Sequence, residues 1–264
     1  MKYSIFTKPW RTLTVPQLGM FVQRLGFDGI EFPLRPGYQV EPQNAEKGLK
    51  TLCDQLAAYG ITITSVASET TEQVFAGCAE AGVKVLRIMG PLDISDGYMK
   101  AEAAFRGKLE SLVPLCERYG VTVGVQHHYG AGIFNAMELR HLLEGFNPKH
   151  IAGIWDAAHS ALAGEIPQQS LDIVWDMLCL VNFKNAFYRR VNGPEAAQAQ
   201  FEPYFTTGQN GNTNWKSALE YMKHRGYDGV LCMPAEYTDE ANVESYIIED
   251  LDYLKMLVEE VYGA

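Results

Sequence analysis

The chain has 264 residues, 47% of them hydrophobic, enough for one large core of the size a single α/β barrel needs. Twenty-two Lys and Arg against 32 Asp and Glu leave a net charge of −10, which disfavours a nucleic-acid partner unless one face concentrates the basic residues. No apolar run approaches the ~18 residues of a membrane span. The five cysteines (Cys53, Cys78, Cys116, Cys179, Cys232) sit singly with no C-x-x-C, so free thiols and a soluble, cytoplasmic protein are expected.

Short apolar, β-branched runs alternate with helical patterns along the whole chain. A strand over 2–6 precedes a helix over 15–25, where Thr14-Val15-Pro16-Gln17 has capping-box spacing. A strand over 27–32 is followed by a connection from Pro33 to Gln43 that holds Pro33, Pro36 and Pro42, and then by a helix over 45–59. A strand over 61–66 leads to a helix over 70–82, opened by a second capping-box spacing in Thr70-Thr71-Glu72-Gln73. Next come a strand over 84–89 and a helix over 98–119, a strand over 121–127 and a helix over 135–145. They are followed by a strand over 150–155, a helix over 168–178 and a strand over 179–184. A long connection from Asn185 to Thr213 reaches a helix over 215–225 capped by Asn214, then a strand over 228–233 and a helix over 242–261. Gly26, Gly60, Gly82, Gly120 and Gly226 fall just past helices, where a left-handed residue is needed.

Strand–helix units at roughly 30-residue spacing predict one (β/α)8 TIM barrel over residues 1–264. The rival, an open doubly wound sheet, lacks its glycine-rich turn after the first strand. Active sites of such barrels form at the C-terminal ends of the strands. Both long connections would lie on that face, as lids or binding loops.

Side chains two apart share a strand face, which groups Gln126 with His128 and Asn182 with Lys184, and turns His127 to the other side. Asp156 ends its strand with His159 three residues on, and Glu236 follows the last strand in Pro234-Ala235-Glu236-Tyr237. If each strand has the inward register, Gln126, Asp156, Asn182 and Glu236 converge. Four oxygen-presenting side chains suit a divalent cation such as Mn²⁺ or Mg²⁺, with Zn²⁺ or Co²⁺ as further options, ringed by His128, His159 and Lys184. Taken singly, the same residues have plainer readings. Asp156 is equally a helix cap, and Gln126 and Asn182 are equally core amides satisfied by backbone. His127 is structural or exposed, and Glu31 is a mouth residue or a buried partner for Arg87.

With these residues in this order, the chain resembles the sugar-phosphate isomerase/epimerase superfamily of xylose isomerase-like barrels. That group includes ketose 3-epimerases, hydroxypyruvate isomerases, inositol-catabolism enzymes and endonuclease IV. The markers are Gly26-Phe27-Asp28-Gly29-Ile30-Glu31, the step from Asp156 to His159, Asn182-Phe183-Lys184-Asn185, the segment from Gly208 to Trp215, and Glu236. The resemblance implies a metal held by Asp156 and Glu236, with His159 in a substrate-binding position and Glu236 also exchanging the substrate proton. At the other two ligand positions Gln126 stands where Glu is usual and Asn182 where His is usual. Arg189 or Arg190 would supply an arginine common shortly after that histidine.

Two carboxylates and two neutral amides bind a dication more weakly than three carboxylates do. Gln126 cannot abstract a proton, so Glu236 is left as base beside His128 and His159, with the metal or Lys184 stabilising an enolate. Glu31, Arg87 and Arg189 are candidate substrate contacts. The first reading is a metal-assisted isomerase or epimerase acting on a sugar or small polyhydroxylated carbonyl compound. The second is a lyase, a sugar-acid or dehydroshikimate-type dehydratase, which the missing strand-five carboxylate favours. The third is a non-catalytic sugar-binding barrel. Endonuclease chemistry fits poorly, because six scattered histidines do not supply a His-rich zinc cluster. Tyr246, Tyr253 and Tyr262, expected to be exposed, would permit a homodimer or higher homo-oligomer.

Overall fold

The computed structural model describes residues 1–130 and 132–263. Its parallel strands β1 (Lys2–Phe6), β2 (Gly29–Pro33), β3 (Thr62–Ala67), β4 (Val85–Met89), β5 (Thr122–Gln126), β6 (Ile151–Asp156) and β7 (Leu178–Asn182) are joined by β10 (Val230–Pro234). β10 pairs with both β7 and β1, which closes an eight-stranded barrel and leaves no open edge. Around it lie α1 (Val15–Leu25), α2 (Ala45–Ala57), α3 (Glu72–Glu80), α4 (Tyr98–Tyr119), α5 (Ala136–Leu143), α6 (Ala157–Leu162), α7 (Pro167–Val174), α8 (Trp215–His224) and α9 (Val243–Tyr262). Among the described residues no helix is long and apolar enough to cross a membrane.

Strand alternation sorts the residues into two cores. Outward side chains such as Ile30, Phe32, Val66 and Leu86 join Leu18, Val22, Leu49 and Leu52 of the helices in the large core between sheet and helix layer. Trp155 belongs to this layer, and its indole Nε1 donates to Ser170 Oγ of α7 at 2.8 Å. Inside the barrel a small apolar plug is made by Ile154, Leu180 and Cys232. Two residues further along β6 and β7, on the same faces, come Asp156 and Asn182, which are paired across the strands, while Gln126 pairs with Ile154. The barrel is therefore apolar at its base and polar at the C-terminal rim, and the period of two is what separates the zones.

Several local signals act as expected. Thr14 and Gln17 form the capping box of α1, and Asn214 accepts from Ser217 N–H at the start of α8. The second capping box does not form: α3 starts at Glu72 behind Thr71, whose side chain makes no cap bond. The helix expected over 168–178 ends at Val174 and tightens into a 3₁₀ turn before β7, while the short α6 directly after Asp156 was not foreseen.

The largest difference lies between Asn185 and Thr213. This stretch carries an antiparallel hairpin, β8 (Asn185–Arg190) with β9 (Phe201–Thr206). Neither strand alternates apolar with polar residues. Cross-strand stacking holds them instead, Phe187 on Tyr204 at 5.3 Å between ring centroids. The buried Asn185 side chain braces the base, donating to the Gly208 and Thr213 carbonyls and accepting from Thr213 N–H. The three tyrosines expected at an exposed interface are half-buried against their own barrel: Tyr246 packs on Tyr237 and Tyr253 on Trp215.

Candidate active site

The polar rim of the barrel holds a chain of charge-assisted contacts. Arg87 Nε of β4 donates to Glu31 Oε1 of β2 at 2.8 Å, and its Nη1 donates to Gln126 Oε1 of β5 at 2.7 Å. The Gln126 amide passes the chain on, its Nε2 donating to Asp156 Oδ2 at 2.7 Å. Asn182 Nδ2 donates to the same oxygen at 3.4 Å. Lys184 follows β7, and its ammonium lies 3.6 Å from Asp156 Oδ2 and 3.3 Å from Glu236 Oε2. Lys8, in the turn after β1, takes the other Glu236 oxygen at 2.6 Å. Three carboxylates (Glu31, Asp156, Glu236) thus face three cations (Arg87, Lys184, Lys8), and the cluster is charge-balanced.

Asp156 has two duties. Oδ1 caps α6 by accepting from Ala158 and His159 N–H at 3.1 and 3.2 Å, while Oδ2 belongs to the charged ring. Both plain and functional readings of this residue therefore hold. Glu31 is the buried partner of Arg87. Burial works against the Arg87 charge, but Glu31 beside it holds the guanidinium above its ordinary value. Burial likewise pushes the Glu236 carboxyl up, and Lys184 and Lys8 override it, holding the group well below the usual carboxylate range. The neighbouring Cys232 thiol is pushed far up by burial and then by Glu31, so it remains protonated.

Three imidazoles stand behind this ring. His127 is structural: Nδ1–H donates to the Phe134 carbonyl at 3.2 Å and Nε2 accepts from Asp156 N–H at 3.0 Å. His128 is half-buried, and its Nδ1–H donates to the Tyr129 carbonyl at 2.8 Å, which leaves the lone pair of the neutral ring on Nε2. Burial, above all, lowers the pKa of both rings. His159 lies 4.0 Å from His128 between ring centroids and is pushed well below the ordinary value by burial and by Lys184. Neither of its ring nitrogens makes a hydrogen bond, although Nε2 lies 3.9 Å from Asp156 Oδ2, and Asn182 Oδ1 is likewise buried without one. Phe205 of β9 roofs the cluster, 5.0 Å from Lys184 Nζ and 5.9 Å from the His159 ring. Its backbone pairs with Thr238, two residues past Glu236.

The residues Gln126, Asp156, Asn182, Glu236, His128, His159, Lys184, Glu31 and Arg87 are brought together. Arg189 is not: it lies exposed on the hairpin with its guanidinium 4.6 Å above the Tyr204 ring, and Arg190 is exposed beside it. Lys8, Tyr129 and Phe205 join the site without having been singled out. Lys8 follows a strand end just as Glu236 does, a signal that could have found it. Phe205 sits on the unforeseen hairpin.

The expected metal ligands do not fit a divalent cation in this arrangement. The Gln126 oxygen is turned to Arg87, so its NH₂ faces the centre. Both Glu236 oxygens are on ammonium groups, and Asp156 Oδ1 is spent on the α6 cap. Among the described residues no group of three or more His, Cys, Asp or Glu could hold a metal ion. A cavity of about 370 Å³ opens beside the ring over the ends of β2, β3 and β4, lined in part by Arg35, Ala67, Ser68, Glu69 and Arg87.

Comparison with known proteins agrees with this architecture. The family model described as "xylose isomerase-like TIM barrel" matches residues 21–257. The inosose dehydratase of Lacticaseibacillus casei is 24% identical over 152 residues, covering 55% of this chain and 51% of that protein. The chain thus spans about half the length of the curated relatives it matches. Among solved structures, the probable 3-DHS dehydratase of petrobactin synthesis from Bacillus anthracis superposes with a TM-score of 0.75 at 17% identity, over 97% of this chain and 99% of that one. A 3-keto-D-glucoside 4-epimerase from E. coli gives 0.73 at 14%, over 97% and 99%. An IOLI protein with a bound zinc atom gives 0.72 at 14%, over 99% and 98%. At these identities the structures establish the shared fold.

Proposed function

The chain belongs to the family of xylose isomerase-like TIM barrels, and we propose that within it the protein is a dehydratase, eliminating water from a small, polyhydroxylated carbonyl compound. The observation that carries the reading is a charge-balanced rim with uncommitted neutral polar atoms. Its cations and carboxylates cancel, whereas the His159 ring nitrogens and Asn182 Oδ1 are buried without hydrogen bonds. Leaving such atoms unpaired costs about 1–3 kcal/mol each, and hydroxyl groups of a neutral ligand would satisfy them without unbalancing the charge.

Elimination needs one proton acceptor next to a carbonyl and one donor for the departing hydroxyl. His128 meets both needs in turn. Its Nε2 takes the proton from the carbon beside the carbonyl, and the resulting imidazolium returns a proton to the leaving oxygen, so that water departs and the ring is neutral again. Glu236, the base expected from sequence, is held by two lysines and serves in this scheme to position Lys184. Gln126 cannot act as a second carboxylate base, which disfavours the symmetrical exchange of an epimerase. The dehydratase names of the curated relatives support the same choice.

The test is product analysis by mass spectrometry with an inosose and with dehydroshikimate as substrates. Loss of one water, abolished in His128→Asn, is expected. A product of unchanged mass would overturn the dehydratase in favour of an isomerase or epimerase.

A further inference from the structure

We infer that the ammonium group of Lys184 stands in the place of a divalent cation, so that this chain stabilises its enolate without a resident metal. The inference rests on the enolate chemistry proposed above and deepens it by naming the electrophile. Asp156 and Glu236, from β6 and the end of β10, are the two carboxylates a dication would bridge. Lys184 Nζ bridges them instead, at 3.6 and 3.3 Å. The side chain reaches that point because Lys184 lies two residues beyond Asn182 on the same face, and it is 3% exposed. Phe205 covers the ammonium from above at 5.0 Å, which excludes water and strengthens the field of the charge.

The rest of the donor set suits a monovalent cation. The Gln126 amide presents N–H to Asp156 because Arg87 claims its oxygen, and a metal would require the opposite orientation. Lys8 neutralises the Glu236 oxygen that Lys184 leaves. An ammonium has three N–H donors. One is directed at Glu236, and the ammonium pairs with Asp156 by charge at 3.6 Å, so N–H remains available to the carbonyl oxygen of a substrate. When the C–H bond beside that carbonyl breaks, its proton goes to His128 Nε2 and its electron pair moves onto the oxygen held by Lys184. As the pair returns to form the carbon–carbon double bond, the C–O bond of the departing hydroxyl breaks, and His128 protonates the leaving oxygen to water. Nothing is oxidised or reduced.

The experiment is titration calorimetry of chelator-treated protein with Mn²⁺ and with Zn²⁺, on wild type and on Lys184→Gln. Wild type should bind neither ion up to millimolar concentration. Lys184→Gln, which uncovers two carboxylates, should bind Mn²⁺ at least about tenfold more tightly than wild type. Micromolar binding by wild type, or a folded Lys184→Gln that binds no tighter, would overturn the proposal; the wild-type titration stands even if the variant does not fold. Failure to dehydrate either test ketone would defeat the proposed function and leave the calorimetric outcome for Lys184 intact. Dehydration that survives chelator supports both, and dehydration lost on chelation and restored by Mn²⁺ overturns the metal-free electrophile alone.

Discussion

Two ion-pair groups lie side by side at the mouth of one barrel and differ in how far water reaches them. Arg87 and Glu31 are 7% and 0% exposed, and every partner of the guanidinium is fixed by a strand. Lys8, Glu236 and Lys184 run outward from inside the barrel, at 46%, 31% and 3% exposed. A closed pair holds shape, since removing one member strands a charge in low dielectric. At the outer end of the second group, Lys8 and Glu236 can exchange a partner for an incoming ligand at small cost, while Lys184 at its inner end is as closed as Arg87. The contrast suits the first group to scaffolding, and the proposed chemistry draws on the second.

Arg87→Met is expected to give the largest effect on stability, a loss of about 3–5 kcal/mol in chemical denaturation, because Glu31 is left buried and unpaired. A loss below about 1 kcal/mol would erase the distinction between the groups. Lys184→Met should lower kcat by roughly 10²–10³-fold in the mass-spectrometric assay, the scale of removing one preorganised donor from developing negative charge.

Asp250, a buried carboxyl outside both groups, sharpens the comparison because it has no cation beside it. Burial raises it from 3.8 to about 7, although Gly208 N–H and the Tyr237 hydroxyl both donate to it. Its folded-state value lies above its unfolded one, so its stabilising contribution is complete below 3.8 and is lost as pH rises towards 7. The difference in thermal stability between wild type and Asp250→Asn should shift in favour of the variant across that window, and a pH-independent difference would refute the assignment. Lys8→Ala should have the smallest effect, within about 1 kcal/mol of stability, and it should fade further in high salt.

Strand positions were legible in the sequence because a period of two and glycine stops are local signals, and from them follow the barrel and the convergence of Gln126, Asp156, Asn182 and Glu236. What those four would hold was not legible. Oxygen-bearing side chains meeting at a point fit a metal or an ammonium equally well, and the choice depends on how far Lys184 and Lys8 reach and on which way the Gln126 amide turns. Those are contacts between residues far apart in the chain, with no periodic trace. The hairpin escaped for a related reason: Phe187 finds Tyr204 across a turn, and neither strand carries an alternation of its own. Thr71 shows the reverse case, a capping signal that the local backbone did not use.

The two oxygens of Asp156 tie the start of α6, and with it His159, to the charged ring. A longer acid at this position could not serve both ends, and a neutral amide would unbalance the rim. Replacing Asp156 would therefore loosen the first turn of α6 and the charged ring in one step, because a single side chain ties the two.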